Sequence, residues 1–279
     1  MVSATVGVDL GDGGRWTSLR LGGREWLWAG PGLVSGPRTG HAVFTDAGGL
    51  DECFPTVRGT PDHGGLWNQV WTDDSEWDTV RWDGVVLRRR MNGGTRPDAA
   101  VPRADTGVVW ADYELTAPPG YRFVWAAHAL LDCAVGASVN VPHGTVCRLY
   151  PEAAPLLGTP WPDAPWVEGR WPAPGGIHLG TFGPSDGSAV GAILDSPTAS
   201  VRDRGLELTF DLSCPGQPVS TALWRNLEGF PEGAPYRSLG VEPMLGRVFD
   251  LAEAGPDDAA VVPDSGRLTW RLVVSARPV

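Results

Sequence analysis

Polar side chains able to bind a hydroxyl-rich ligand are concentrated in one block of the sequence, residues 48–71. The block, GGLDECFPTVRGTPDHGGLWNQVW, mixes acids, a histidine and amides with aromatic residues. Carboxylates, imidazoles and amides hydrogen-bond to hydroxyls, while an indole face can cover the apolar C–H face of a sugar ring. The candidate binding residues in the block are Glu52, Asp62, His63, Asn68 and Trp71. Taken alone, the segment 61–64 is better explained as a turn whose Asp62 and His63 satisfy backbone groups.

Two residues outside this block could act as an acid and a base. His128 lies in a strand-like run, where alternation places it and Trp125 on opposite faces. A single histidine on a strand is more often structural than catalytic. Glu242 lies in the apolar segment GVEPM, where we expect a partly buried carboxylate, and a buried carboxylate without a partner needs a reason to exist. Its structural explanation is an ion pair with Arg237 or Arg247.

The elements that must position these residues are predicted to be short strands bounded by Gly, Pro or Asp. Two hairpins are predicted, 15–21 with 24–29 around Gly22-Gly23, and 108–116 with 121–131 across Ala117-Pro118-Pro119-Gly120. Further strands are predicted at 138–141, 146–150, 177–182, 189–194, 206–212, 220–224 and 268–275, and one short helix at 248–254. Many strands with almost no helix predict an all-β sandwich or barrel.

The segment 151–176 is predicted to be the longest loop, rich in proline and carrying Trp161, Trp166 and Trp171. Loops of this length in compact domains are often lids or binding loops. A surface excursion held by its prolines, with the indoles packed back onto the sandwich, explains the composition equally well.

Composition and motifs exclude several functions. A net charge of −11 disfavours nucleic acid or an acidic membrane as a partner. All 22 basic residues are arginine, so a P-loop, which needs lysine, is impossible. A GxSxG pattern at 183–187 precedes a strand-like run and not the helix that a nucleophile elbow requires. No metal-ligand spacing occurs, so we expect neither a metal nor another cofactor.

The expected compartment is the cytoplasm. The first residues have neither the basic region nor the apolar run of a secretory signal, and no apolar run approaches the roughly 20 residues of a membrane span. The four cysteines, which form no CxxC pair, are predicted to be free buried thiols: Cys53, Cys133, Cys147 and Cys214. The 14 tryptophans, against 7 phenylalanines and 4 tyrosines, suit a small-molecule carbohydrate as the partner.

Considered together, these motifs resemble the aldose 1-epimerase (galactose mutarotase-like) superfamily. The matching features are DECFPT…PDHGGLW, the strand WAAHALL, the late LGVEPMLG and the C-terminal LTWRLVVS. Their order and spacing agree from about residue 16 to residue 274, and the first block is the most specific. The resemblance implies a β-supersandwich, residues 1–279 as a single domain, with a sugar cleft.

The resemblance also implies a reaction, the interconversion of the α and β anomers of an aldose. Glu242 matches the catalytic base, His128 the general acid, and His63 a histidine that contacts the ring-oxygen region. An acid and a base on opposite sides of the ring can exchange roles for the reverse direction.

The chain departs from the family pattern at several positions. An aromatic residue commonly follows the strand histidine, but Ala129 and Leu130 follow His128. Ala47 and Trp67 stand where the sugar-phosphate branch has arginines, which favours a non-phosphorylated substrate. Arg225 is the candidate to replace some of that hydrogen bonding, although it could equally be a surface arginine.

Two other functions remain open. One is a lyase or isomerase that acts on a modified sugar or glycoside, since a fold does not determine a reaction. The other is a non-catalytic carbohydrate-binding protein that uses Trp67 and Trp71 as stacking platforms.

Overall fold

The computed structural model describes residues 4–30, 48–94 and 107–279, whose regular elements are almost all antiparallel strands. Ala47 lies outside the described residues. The strands are β1 Thr5–Asp9, β2 Arg15–Leu21, β3 Arg24–Glu25, β4 Leu50–Cys53, β5 Thr72–Asp73, β6 Asp78–Trp82, β7 Val85–Gly94, β8 Gly107–Thr116, β9 Arg122–Phe123, β10 Trp125–Leu131, β11 Ser138–Asn140, β12 Val146–Leu149, β13 Val167–Arg170, β14 Ser188–Leu194, β15 Thr198–Asp203, β16 Leu206–Ser213, β17 Val219–Leu227, β18 Arg237–Leu245, β19 Ala260–Val261 and β20 Arg267–Pro278. Three short 3-10 helices cover Pro151–Leu156, Pro174–Gly176 and Leu251–Glu253.

The strands form two large sheets, as the predicted all-β sandwich requires. The first has the order β1-β2-β4-β10-β18-β17-β14-β12-β13, with β3 paired to β2. The second has the order β11-β15-β16-β20-β8-β7-β6-β5, and β9 pairs with β19 in a small ribbon. Among the described residues, no helix is long and apolar enough to cross a membrane.

The main core lies between the two sheets. On β10, alternate side chains such as Trp125 face the second sheet, where the Trp125 ring lies 4.9 Å from that of Tyr113 and 5.4 Å from that of Trp270. A smaller apolar cluster covers the opposite face of the first sheet, with Ala126 and Met244 among its members. The first sheet therefore packs apolar side chains on both of its faces.

The hairpin around Gly22-Gly23 is confirmed, since β2 pairs with β3 and both glycines adopt positive φ angles. The second predicted hairpin is wrong, because β8 pairs on one edge with β7 and on the other with β20. With both edges of β8 occupied, the turn at Pro118 carries the chain across to β10 in the first sheet.

Three other local predictions need correction. The segment 177–182 is not a strand, because its buried apolar side chains line an irregular path with one isolated bridge, at Thr181. The helix at 248–254 is reduced to Leu251–Glu253, because the Phe249 carbonyl accepts from the backbone of Val57 and Arg58. The segment 151–176 is not all loop, because β13 within it pairs with β12 at the sheet edge. The prediction of free, buried cysteines is confirmed for all four.

Candidate functional site

A row of charged side chains crosses four adjacent strands on the outer face of the first sheet. Asp51 on β4 is the register partner of His128 on β10. Two flanking pairs set the register of β10 with β18: Ala126 with Met244, and Leu130 with Gly240. That register puts Glu242 opposite His128, and directly opposed residues on a sheet share a face. On the other side of β4, the pairing of Trp16 with Leu50 puts Arg15 next to Asp51.

His128 and Glu242 are in contact at the centre of this row. His128 Nε2 lies 3.5 Å from Glu242 Oε1, and Glu242 is 2% exposed. The two groups therefore lie side by side on the same face of the sheet. Arg237 and Arg247 bond elsewhere, to carbonyl oxygens and to Asp195.

The turn at 61–64 holds a second histidine against the first. His63 adopts a φ of 62°, a left-handed conformation in which histidine is enriched. Its ring stacks on Trp67 at 4.7 Å and meets the His128 ring edge-on at 5.1 Å. Asp62 Oδ2 lies 3.2 Å from His63 Nδ1. Burial raises the pKa of Asp62, but the hydrogen bond and charge of His63, together with Arg58, outweigh it and hold that pKa below its ordinary value.

The row and this turn form the floor and one wall of a cleft of about 250 Å³. The opposite wall is aromatic, where Trp224 Nε1 donates to the Tyr236 hydroxyl at 3.2 Å and the Trp224 ring meets Phe230. Burial raises the pKa of Tyr236, although Trp224 lowers it, so the hydroxyl stays protonated at neutral pH. The described lining residues are Asp51, Val57, Arg58, Asp62, His63, Trp67, His128, Glu152, Trp224, Phe230, Tyr236, Glu242 and Phe249.

An ion pair lines the cleft beside Phe249. Arg58 Nη1 lies 2.8 Å from Glu152 Oε1, with each side chain 31% exposed. The Arg58 guanidinium also lies over the Phe249 ring, 4.3 Å from its centroid. Both ends of this pair therefore stand at the cleft, where their donors and acceptors can meet a polar ligand.

Four of the predicted substrate-binding residues do not line this cleft. Glu52 points into the core between the sheets and bonds to Arg89, Tyr113 and Trp125. Trp71 is 2% exposed, under the Arg89 guanidinium. Arg225 donates to the His178 carbonyl at 2.8 Å, and Asn68 is exposed and bonded to Gln69.

Several lining residues were not proposed from the sequence. Asp51 and Trp224 are next in sequence to two residues that were proposed, Glu52 and Arg225. The alternation of side chains between the two faces of β4 and β17 could have identified them. Arg58 lies in the same polar block. Phe230 and Tyr236 come from a connection between β17 and β18 that carries no chemical signal in the sequence.

Solved structures with this fold are similar to the chain over nearly its whole length. One is a galactose mutarotase-like protein from Lactobacillus casei, at 15% identity and a TM-score of 0.57, covering 99% of this chain and 98% of that one. Another is a galactose mutarotase related enzyme from Lactobacillus acidophilus, at 11% identity and a TM-score of 0.60, covering 99% and 95%. A provisionally named aldose 1-epimerase from Escherichia coli K12 reaches a TM-score of 0.63 at 13% identity, covering 100% and 97%.

No protein-family model matches the chain, and no curated protein matches it significantly. The structural matches show a galactose mutarotase-like fold, as the resemblance implied. At identities of 11–15% they do not determine the reaction.

Proposed function

We propose that this chain, a galactose mutarotase-like sandwich, is an isomerase that interconverts the anomers of a non-phosphorylated aldose. The observation that carries the proposal is the contact of 3.5 Å between His128 Nε2 and Glu242 Oε1 on the floor of an aromatic cleft. An imidazole and a carboxylate this close can reach two oxygens bonded to the same carbon, which anomer exchange requires.

In the proposed mechanism, Glu242 accepts the proton of the anomeric hydroxyl while His128 donates a proton to the ring oxygen. The C1–O5 bond breaks, and the open-chain aldehyde rotates about C1–C2. On closure, His128 takes the proton back from the O5 hydroxyl and Glu242 returns its proton to the former carbonyl oxygen. His63, edge-on to His128, assists at the ring oxygen.

The charges of the cleft favour a substrate without phosphate. The described lining residues include four carboxylates, Asp51, Asp62, Glu152 and Glu242, but one arginine, Arg58, which is already paired with Glu152. A dianionic phosphate would meet repulsion from several of these groups. We also propose that residues 1–279 form one domain, and that it works in the cytoplasm, where its four free thiols would stay reduced.

The test is exchange NMR of anomeric protons across a panel of free aldoses. Wild-type protein should accelerate the exchange of at least one sugar above the buffer rate. Glu242→Gln should lower turnover by about 10²–10⁴-fold with an unchanged fold, since it removes a general base. Glu168→Gln, an exposed glutamate at the β13 edge, is the matched control and should keep full activity.

Each alternative predicts a different outcome. A product beyond the two anomers would identify a lyase or another isomerase. Sugar binding with no exchange in wild type, retained in Glu242→Gln, would identify a binding protein. Unchanged exchange in Glu242→Gln would remove the mechanism.

A further inference from the structure

The charged row continues past the catalytic pair to Asp51. Adjacent strands lie about 4.8 Å apart, so Glu242, His128 and Asp51 present three polar groups at successive steps across β18, β10 and β4. Asp51 is therefore the neighbour of His128 on the side away from Glu242, and it lines the same cleft.

Arg15 holds the Asp51 carboxylate in position. Arg15 Nε donates to Asp51 Oδ1 at 3.0 Å, and Asp12 Oδ2 lies 3.6 Å from Arg15 Nη1. Arg15 is 1% exposed and Asp51 is 3% exposed, so the ion pair is buried, with Asp51 forming part of the cleft floor. A buried pair bonded in this way has a defined orientation, unlike a surface carboxylate.

The order of atoms in a pyranose matches the order of the groups in this row. Starting from the anomeric hydroxyl, the ring runs through C1 and the ring oxygen to C5, which carries the exocyclic carbon C6. With Glu242 at the anomeric oxygen and His128 at the ring oxygen, the next position in the same direction is the substituent on C5. Asp51 occupies that position.

We propose that Asp51 binds the C6 hydroxyl of the substrate, with Arg15 as its positioning residue, so that the protein selects aldohexoses with a free hydroxymethyl group. This inference rests on the proposed anomerase function, because that function sets the direction of the sugar along the row. A carboxylate accepts a hydrogen bond from a hydroxyl and repels a phosphate or carboxylate at C6. Sugars that lack the hydroxyl cannot donate this hydrogen bond to Asp51.

The experiment compares matched sugars that differ only at C6, on wild-type protein. Glucose is paired with 6-deoxyglucose, galactose with 6-deoxygalactose, and glucose 6-phosphate is added as the anionic probe. We expect kcat/KM for anomer exchange to be about tenfold to a hundredfold higher for the hydroxymethyl sugar of the preferred pair, as for the loss of one hydrogen bond to a charged group. Exchange of glucose 6-phosphate should be lower still.

Two variants separate recognition from stability. Asp51→Asn should reduce the preference for the hydroxymethyl sugar to a few-fold and raise the relative rate with glucose 6-phosphate. Arg15→Met should reduce the same preference, because Asp51 loses its orientation. The ratio compares two sugars on one protein sample, so a change in the folded fraction cancels.

The outcomes distinguish this inference from the function beneath it. Equal kcat/KM for both members of each pair, or an unchanged preference in Asp51→Asn, would overturn the role of Asp51 and leave the anomerase function intact. No exchange of any sugar would overturn both.

Discussion

At the scale of single residues, the position of the Glu242 carboxylate depends on Gly240, which lies two positions earlier and has no side chain. Gly240 lies on the same face of β18, and a methyl group there would stand 2.6 Å from Glu242 Oε1 and 2.8 Å from Trp224 Cβ. These separations are shorter than van der Waals contact, so either Glu242 or the strand must move. The glycine thus provides the space that the buried Glu242 carboxylate occupies.

Gly240→Ala should therefore impair catalysis more than binding. Displacing a catalytic group by about 1 Å can cost about 10²-fold in rate, so kcat should fall by that order while KM changes little. Overpacking should also lower the free energy of unfolding by about 1–3 kcal/mol. Exchange NMR per folded molecule and urea denaturation measure the two effects.

The matched control is Gly158→Ala, where the added methyl has no atom within 4 Å and both quantities should stay at wild-type values. Full activity in Gly240→Ala would show that Glu242 tolerates displacement.

The residues that the sequence could and could not assign to the site differ in a physical way. Asp62, His63, His128 and Glu242 lie at the cleft, but Glu52 and Arg225 do not. Glu52 directly follows the lining residue Asp51, and Arg225 directly follows the lining residue Trp224. Since successive side chains on a strand point to opposite faces, an error of one position moves a residue from the cleft to the core. Chemical type alone does not distinguish the carboxylates of Asp51 and Glu52, so the face of the strand decides which of them lies at the cleft.

At the scale of elements, cross-strand ion pairs stabilise the second sheet away from the cleft. Glu207 on β16 is the register partner of Arg202 on β15 and of Arg277 on β20. It accepts from Arg202 Nε at 2.9 Å and from Ser200 Oγ at 3.0 Å, and it also bonds to Arg277. Burial raises the pKa of Glu207, but these partners outweigh it and bring the pKa below 4.5.

Glu207→Gln should therefore destabilise the protein in a pH-dependent way. A carboxyl whose pKa is lowered by folding stabilises the folded state above its ordinary pKa, and this contribution is lost as the pH falls through the folded value. We expect a loss of about 1 kcal/mol at pH 7, because both arginines are half exposed to solvent. The difference from wild type should shrink below pH 4.5, and urea denaturation at several pH values measures it. Glu232→Gln, an exposed glutamate, is the control, and a pH-independent loss in Glu207→Gln would contradict the ionic origin.

Elements were predicted well where pairing is local and poorly where it is not. The β2–β3 hairpin follows from two adjacent glycines, which adopt the positive φ angles that such a turn needs. The partners of β8 are β7 and β20, and the latter lies about 150 residues away in the chain, so no local pattern reveals it. The segment 177–182 shows that alternating apolar residues report burial, whereas a strand also needs an edge to pair with.

At the scale of the whole molecule, one buried polar cluster joins the two sheets. Glu52 and Trp125 belong to the first sheet, and Arg89 and Tyr113 belong to the second. Glu52 Oε1 accepts from Arg89 Nη1 at 3.0 Å and from the Tyr113 hydroxyl at 2.8 Å, and Oε2 accepts from Trp125 Nε1 at 2.7 Å. Burial raises the pKa of Tyr113 well above its ordinary value, and Glu52 raises it further, so the hydroxyl remains a donor. Every partner of Glu52 in this cluster donates, which a carboxylate satisfies and an amide does not.

Glu52→Gln should lower the free energy of unfolding by about 1–3 kcal/mol, because it removes one of the two carboxylates paired with the buried Arg89, Asp78 being the other, and turns an amide N–H toward a donor. The double variant Glu52→Leu with Arg89→Met should cost less than the sum of the two single variants, because each single variant already loses the Glu52–Arg89 ion pair. Guanidinium denaturation of wild type, single and double variants measures this coupling. Because Glu52 faces away from the cleft, KM and kcat per folded Glu52→Gln molecule should match wild type. A raised KM with normal stability would instead indicate that Glu52 contacts the substrate. The assignment of the other face of β4, which carries Asp51, to the cleft would then be wrong.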